Sequence, residues 1–596
     1  MSTTQAADWD MTSYFAAHGD AAWTAFRRGI EDDLAELGRA LPGLGPIEAA
    51  SLERWEEWLV RFEQLSARNR HLGSYLGCMA AADARDAAVQ ADVAWQAGLR
   101  ADIEKVLVGL RTALRDADED AVRDLLERER LQPVAFFLRQ ARTRALFSMG
   151  AAEEGLAADL GVDGIAAWGR LYDQISGSLE FAMEYPDGRT ERLPVSRARS
   201  LMGDPDPAVR EGAFRAANEA WESRAESCAA ALNAIAGTRL TLYERRGIEH
   251  FLDAPCLDNH LTRRTLSTMI EVARERAEVA RAILRERARR MGKEQLSWAD
   301  LEAPLPGAPV ARISYDDAAR RIADAFHRFY PDLGHFAEEA VAKRWIDYQP
   351  RPGKRPGGFC SSSPLLRESR IFMTFDGAIG DVSTLAHELG HAWHSRVMAE
   401  MRPWARGYPM TLAETASTFA EQVLIDRILS DGAADPAEKE AVLDGRLSDA
   451  TQFILNTTMR FTFEAAFHEE RAAGEVSAAR LCELMRDHQR EWYGDTIAED
   501  AFDPWFWASK LHFYISGLSF YNFPYTFGFL FSQAIFARAK EEGAAFLPRY
   551  EALLRDTASA TAEDVAHRHL GADIEAPEFW NASIDLVAAD LEKFTA

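Results

Sequence analysis

Residues 381–396, DVSTLAHELGHAWHSR, constrain this chain more than any other stretch. Val382, Leu385, Leu389 and Ala392 recur at helical spacing, so one face of the segment belongs against an interior. On that helix His387 and His391 stand one turn and about 40° apart, and both imidazoles can meet at a single point. Asp381 or Ser383 is placed to cap the helix start. Glu388 lies about 100° round from His387, too far to share an ion with it and near enough to bond a water held there. Two ligands and a base is what this H-E-x-x-H spacing offers. With 14 histidines in 596 residues, chance supplies it roughly 0.03 times in such a chain. The competing reading of the pentapeptide is an ordinary helix whose histidines bond to their neighbours.

An open catalytic metal site needs a third protein ligand on a nearby element. The segment PMTLAETASTFAEQVLIDRIL (409–429) offers Glu414 and Glu421, seven residues apart and hence about 20° apart on a helix that otherwise shows Leu412, Ala416, Phe419, Val423 and Leu424. Glu414 is the expected ligand. Glu421 is the expected acceptor for an imidazole's second N–H, since a ligating histidine normally donates its other nitrogen. The alternative for both is a pair of solvated glutamates. His394 shares the histidine face but sits about 10 Å along the axis from His387, so it is assigned to hydrogen bonding or substrate contact. A metzincin would carry Gly at 394 and His at 397; His394 and Val397 exclude that class. Glu400 is the alternative third ligand. Gly390 costs about 1 kcal/mol in helix propensity relative to Ala, which predicts a close neighbour: substrate, or a β-edge near Phe359–Ser362 and Phe372–Phe375.

Most of the remaining chain reads as amphipathic helix, interrupted at LPGLGP (41–46) and APLPGAP (303–309). A hairpin is predicted over 180–195 with Asp187-Gly188 at its turn, and a second strand over 369–377. Proline and glycine in YQPRPGKRPGGFCSSS (348–363) forbid helix and suit a loop passing into extended chain. The expected organisation is an N-terminal helical region, 1–195, and a catalytic region, 196–596.

A formal charge of −26 argues against nucleic-acid and anionic-membrane partners, which need clustered cations. The same acidic balance hints at basic peptides. Five scattered cysteines without a CxxC predict neither a disulfide frame nor a thiolate metal knot. No leader or apolar run of about 18 residues is found, and a cytoplasmic protein is expected, of undetermined oligomeric state.

Several segments together resemble the thimet-oligopeptidase-like M3 family of metallopeptidases, its oligoendopeptidase F branch most closely. They are WADLEAPLP (298–306), RWIDYQPRPGKRPGGFCSS (344–362), the histidine segment, AETASTFAE, and KLHFYISGLSFYNFPYTFGFLFS (510–532), in family order. The likeness spans roughly 200–585. It implies one Zn²⁺ held by His387, His391 and Glu414, with Glu388 as catalytic acid/base. It also implies a mainly α, two-lobed fold with a deep central channel and a small β-sheet near the metal, restricted to short unstructured peptides. His512, Tyr514, Tyr521 and Tyr525 become candidates for holding the substrate carbonyl and oxyanion, and Gly358, Phe359 and His394 for substrate contact. The match departs from the thimet branch at Phe523 and Phe529, where further tyrosines are expected. Phe513, Phe520, Phe527 and Phe531 are expected in the core. A helical zinc carboxypeptidase is the enzyme rival, but its third-ligand segment should read H-E-S-Q-S, unlike Ala413–Ser417. A catalytically silent peptide-binding scaffold is the rival of another class, disfavoured by Glu388.

Overall fold

The structure is a computed structural model that describes residues 8–307 and 312–596; the interruption expected at 303–309 ends outside them. Helices dominate, as the abundance of Ala, Leu, Glu and Arg dictates. Among the described residues five strands accompany them: β1 (Glu180–Glu184), β2 (Thr190–Pro194), β3 (Ile346–Asp347), β4 (Phe359–Ser363) and β5 (Glu368–Phe372). Packing divides the chain into two compact units, one of Met1–Phe147, Val310–Gly432 and Ser532–Ala572, the other of Ser148–Pro309, Ala433–Phe531 and Asp573–Ala596. This division follows contacts in space, whereas the expected boundary at 195 follows chain order.

In the first unit, helix α1 (Leu52–Ala82) turns Trp55, Leu59, Phe62, Leu72 and Tyr75 into a core where each is almost wholly buried. The sheet runs in the order β3-β5-β4, with β3 parallel and β4 antiparallel to β5. The strand expected at 369–377 is therefore shorter, ending at Phe372, and β4 is one of the two edges. Hydroxyls fix that edge on both sides. Ser361 Oγ bonds Ser74 Oγ of α1 at 2.9 Å, and Ser362 Oγ bonds Ser395 Oγ at 2.8 Å. The loop before β4 is held by buried Asp347, which pairs with Arg351 at 2.5 Å and Lys354 at 3.0 Å; buried charges of this kind persist only when paired.

Two further helices of this unit carry the histidines and the acids. Helix α2 (Ile379–Val397) buries Val382, Leu385, Leu389 and Ala392 as its spacing predicts. Its start is closed by Asp381, which accepts from the backbone N–H groups of Asp376 at 2.8 Å and Ala378 at 3.0 Å, while Ser383 lies inside the helix. Helix α3 (Met410–Ser430) buries Leu412, Ala416, Phe419, Val423 and Leu424.

The second unit contains the β1–β2 hairpin, whose turn uses Gly188 at φ 81°, a left-handed conformation that glycine adopts freely. Asp300, fully buried, binds Arg210 at 2.8 Å and Lys293 at 2.6 Å, which explains the acid in WADLEAPLP as a packing element. Phe513, Phe520, Phe527 and Phe531 are core rings. No disulfide joins the five cysteines. No helix among the described residues is long and apolar enough to cross a membrane.

Candidate metal centre and active site

Helices α2 and α3 cross in direct backbone contact. A Cβ on Gly390 would lie 2.5 Å from the Ala416 carbonyl oxygen and 2.6 Å from Ser417 Cα. The close neighbour expected at Gly390 is thus α3, and the reading of substrate or β-edge there is corrected. The crossing brings three donor atoms together: Glu414 Oε2 stands 3.3 Å from His387 Nε2 and 3.5 Å from His391 Nε2. Tetrahedral bonds of 2.0–2.2 Å put ligand atoms about 3.4 Å apart, so the donor set fits one small divalent cation. His387, His391 and Glu414 are the group among the described residues that could hold a metal ion. Glu400 is not part of it; exposed, it pairs with Arg367.

The surroundings are those of a cation site. His387 Nδ1 is 2.5 Å from Glu421 Oε1, which leaves Nε2 for the centre. Burial opposes a charge on His387, but Glu421 and Glu414 outweigh it and hold the imidazole well above its ordinary range. Between two carboxylates, even a proton is retained in place of a cation. His391 is pushed down to about 4, by burial first and then by His387, and so keeps its lone pair. Ser417, which sequence reasoning missed, donates to Glu414 Oε2 at 2.8 Å and fixes its rotamer; its place three residues on along the same helix was the available signal.

Glu388 is only 6% exposed, and its Oε2 has no hydrogen-bond partner. Burial lifts it to about 7, with Glu414 and Glu421 adding and His387 opposing. Gly358 passes so close that a Cβ there would lie 3.3 Å from Glu388 Oε1. Gly358, Phe359, His387, Glu388, His391 and Glu414 all line one cavity of about 740 Å³. Arg70, Arg100, Arg367 and Arg406 line it too, together with Glu368.

Burial rules out substrate contact for His394 and Tyr514, and of the two roles expected for His394 the structure shows hydrogen bonding. His394 has no exposed surface; its Nε2 meets Leu554 O at 3.1 Å and Thr557 Oγ1 at 3.0 Å, and its ring stacks on Tyr408. It is a structural histidine, pushed down to about 3 by burial. Tyr514, in the second unit, is 1% exposed and stacks on Tyr172 with centroids 3.6 Å apart, leaving no open face.

Also within the second unit, His512 packs beside Tyr521 with ring centroids 5.1 Å apart, and the hydroxyls of Tyr521 and Tyr525 are 3.4 Å apart. The loop between them is clamped from outside the segment. Arg239 donates to Ile515 O and Leu518 O, both at 2.9 Å. Glu464 Oε1 accepts from Phe520 N at 2.8 Å, holding a phenylalanine at φ 55°. Arg239 lies 276 residues from Ile515, so no local signal announces the clamp.

Residues 318–585 match the sequence profile of Peptidase family M3, and residues 114–181 that of Oligopeptidase F. The chain is similar to the Oligoendopeptidase F homolog of Lactococcus lactis subsp. lactis (strain IL1403), 24% identical over 445 residues covering 72% of each chain. It is similar to Oligopeptidase PepF of Bacillus subtilis (strain 168), 22% identical over 410 residues, 68% of this chain and 60% of that protein. Among solved structures, oligoendopeptidase-F from Enterococcus faecium superposes with a TM-score of 0.72 at 17% identity, covering 96% of this chain and 98% of that one. A PZ peptidase A solved with an inhibitor gives 0.75 at 15% identity, covering 95% and 97%.

Proposed function

This chain belongs to peptidase family M3, and we propose that its metal is a single Zn²⁺ held by His387, His391 and Glu414, serving an oligoendopeptidase reaction on short unstructured peptides. It is a metallo-oligopeptidase. The observation that carries the residue assignment is the convergence of two imidazole nitrogens and one carboxylate oxygen beside an unpartnered, buried carboxylate. Two imidazoles and a carboxylate suit zinc among the common divalent ions. Zinc, when bound, supplies Lewis acidity and lowers the pKa of a water toward about 7.

The remaining steps fall to the chain's own groups. Glu388, kept from solvent by the backbone at Gly358, takes the proton of the attacking water and returns it to the leaving amine. Glu421 holds the His387 tautomer, and Ser417 holds the Glu414 rotamer. Edge strand β4, from Gly358 and Phe359 onward, offers unpaired backbone groups to an extended peptide that adds as a strand. His512, Tyr521 and Tyr525 are assigned as donors to the developing oxyanion, each worth about 10²- to 10³-fold in rate. The scattered cysteines support a reducing compartment, the cytoplasm.

Metal analysis paired with mass spectrometry of digested, C-terminally amidated peptides tests this reading. Internal cleavage with one zinc per chain is expected. Removal of single C-terminal residues from free-acid peptides only would favour the carboxypeptidase, and binding without cleavage the silent scaffold.

A further inference from the structure

The second unit contains a cavity of about 500 Å³ that shares no lining residue with the one at the metal group. Four cations line it, and two of them are answered within the protein: Arg199 pairs with Glu302 at 3.0 Å, and Arg287 with Asp444. The other two, Arg460 and Lys510, form no ion pair among the described residues. Both lie against the ring of Phe506, Lys510 Nζ 4.4 Å and Arg460 Cζ 5.3 Å from its centroid. Arg460 is 8% exposed; it donates to Asn522 Oδ1 at 3.2 Å, and its Nε has no partner.

A buried cation without a counter-ion is held at a cost that an incoming anion removes. We propose that this cavity binds a small organic carboxylate, its oxygens taken by Arg460 and Lys510 and its organic body by the walls at Phe506, Trp298 and Met202. One guanidinium and one ammonium can each donate to one oxygen of a carboxylate. Asp449 and Asp503 also line the cavity and oppose the second charge of a phosphate. The volume suits a ligand from an organic acid up to a short peptide. Without the anion, burial first, then Arg460 and Arg199, push Lys510 down to about 7, against Glu302 and Asp503.

Thermal unfolding of the whole protein in increasing N-acetyl-Ala-Ala, its C-terminal amide, acetate and inorganic phosphate tests the proposal. Both carboxylates should raise the Tm and the amide should not. A tighter response to the dipeptide assigns a peptide C terminus as the ligand, and an equal one a free organic acid. Lys510→Met and Arg460→Met should each weaken the response by about tenfold or more. Each removes one of the two charges, so either serves if the other fails to fold. Lys510→Met should in addition raise the Tm without ligand, because it deletes a half-buried charge that has no ion pair. His391→Ala, which breaks the metal group, should keep the carboxylate response. Equal responses to acid and amide, stabilisation by phosphate alone, or loss of the response in His391→Ala would each overturn the assignment.

Discussion

Gly390 of α2 and Ala416 of α3 meet so closely that a Cβ on the glycine would stand 2.5 Å from the alanine carbonyl oxygen. That contact sets the distance between the helix bearing the imidazoles and the helix bearing Glu414 and Glu421. The glycine is therefore required by the metal group's geometry, and its cost in helix propensity is offset by the crossing it permits.

Gly390→Ala should force the two helices apart. Overpacking of this kind costs about 1–3 kcal/mol, and the donor atoms should separate with it. Chemical denaturation together with metal content per chain checks this; wild-type stability with full metal content would contradict the crossing argument.

Glu421→Gln should keep a hydrogen bond to His387 Nδ1 and lose the charge behind it. Metal affinity should fall by about 10- to 100-fold, read by competition with a chelator, with little change in the fold. An unchanged affinity would make Glu421 a bystander.

The cavity at the metal group includes Arg70 and Arg406, neither with a carboxylate partner among the described residues. Peptides carrying Asp or Glu near the cleaved bond should be preferred, and Arg70→Ala with Arg406→Ala should erase that preference through KM more than kcat. A peptide library profiled by mass spectrometry reads it directly; a preference for Lys and Arg would contradict it.

Glu464 gives a pH-dependent term in the second unit. Burial lifts it from 4.5 to about 7, opposed by the Phe520 N–H and Arg239. Folding favours its neutral form, so its contribution is whole below 4.5 and is lost as the pH rises through about 7. Glu464→Gln, neutral throughout and still able to accept from Phe520, should match the wild type near pH 4 and exceed it near pH 8 by up to about 3 kcal/mol. Urea denaturation at the two pH values measures this; a gain at the lower pH alone would reverse the sign.

How much of this was legible depended on sequence distance. His387 and His391 were readable because four residues on a helix is one turn, whatever the helix packs against. Glu414 and Glu421 stood out as acids in an apolar helical pattern. The register of α2 on α3 was not readable, because it is set by a backbone contact at a glycine that could equally admit a substrate or a strand. His394 shows the limit of spacing, since periodicity gives a face and not a depth, and Tyr514 the limit of the resemblance; both are buried where a ligand contact was expected. The clamp of Arg239 and Glu464 joins parts of the chain too far apart for any local pattern to reveal.

The role of Glu388 is tested most directly by measuring zinc content and peptide hydrolysis side by side in Glu388→Gln. The account predicts wild-type metal content with kcat reduced by about 10²- to 10⁴-fold. Undiminished hydrolysis in that variant, with the metal in place, would contradict it.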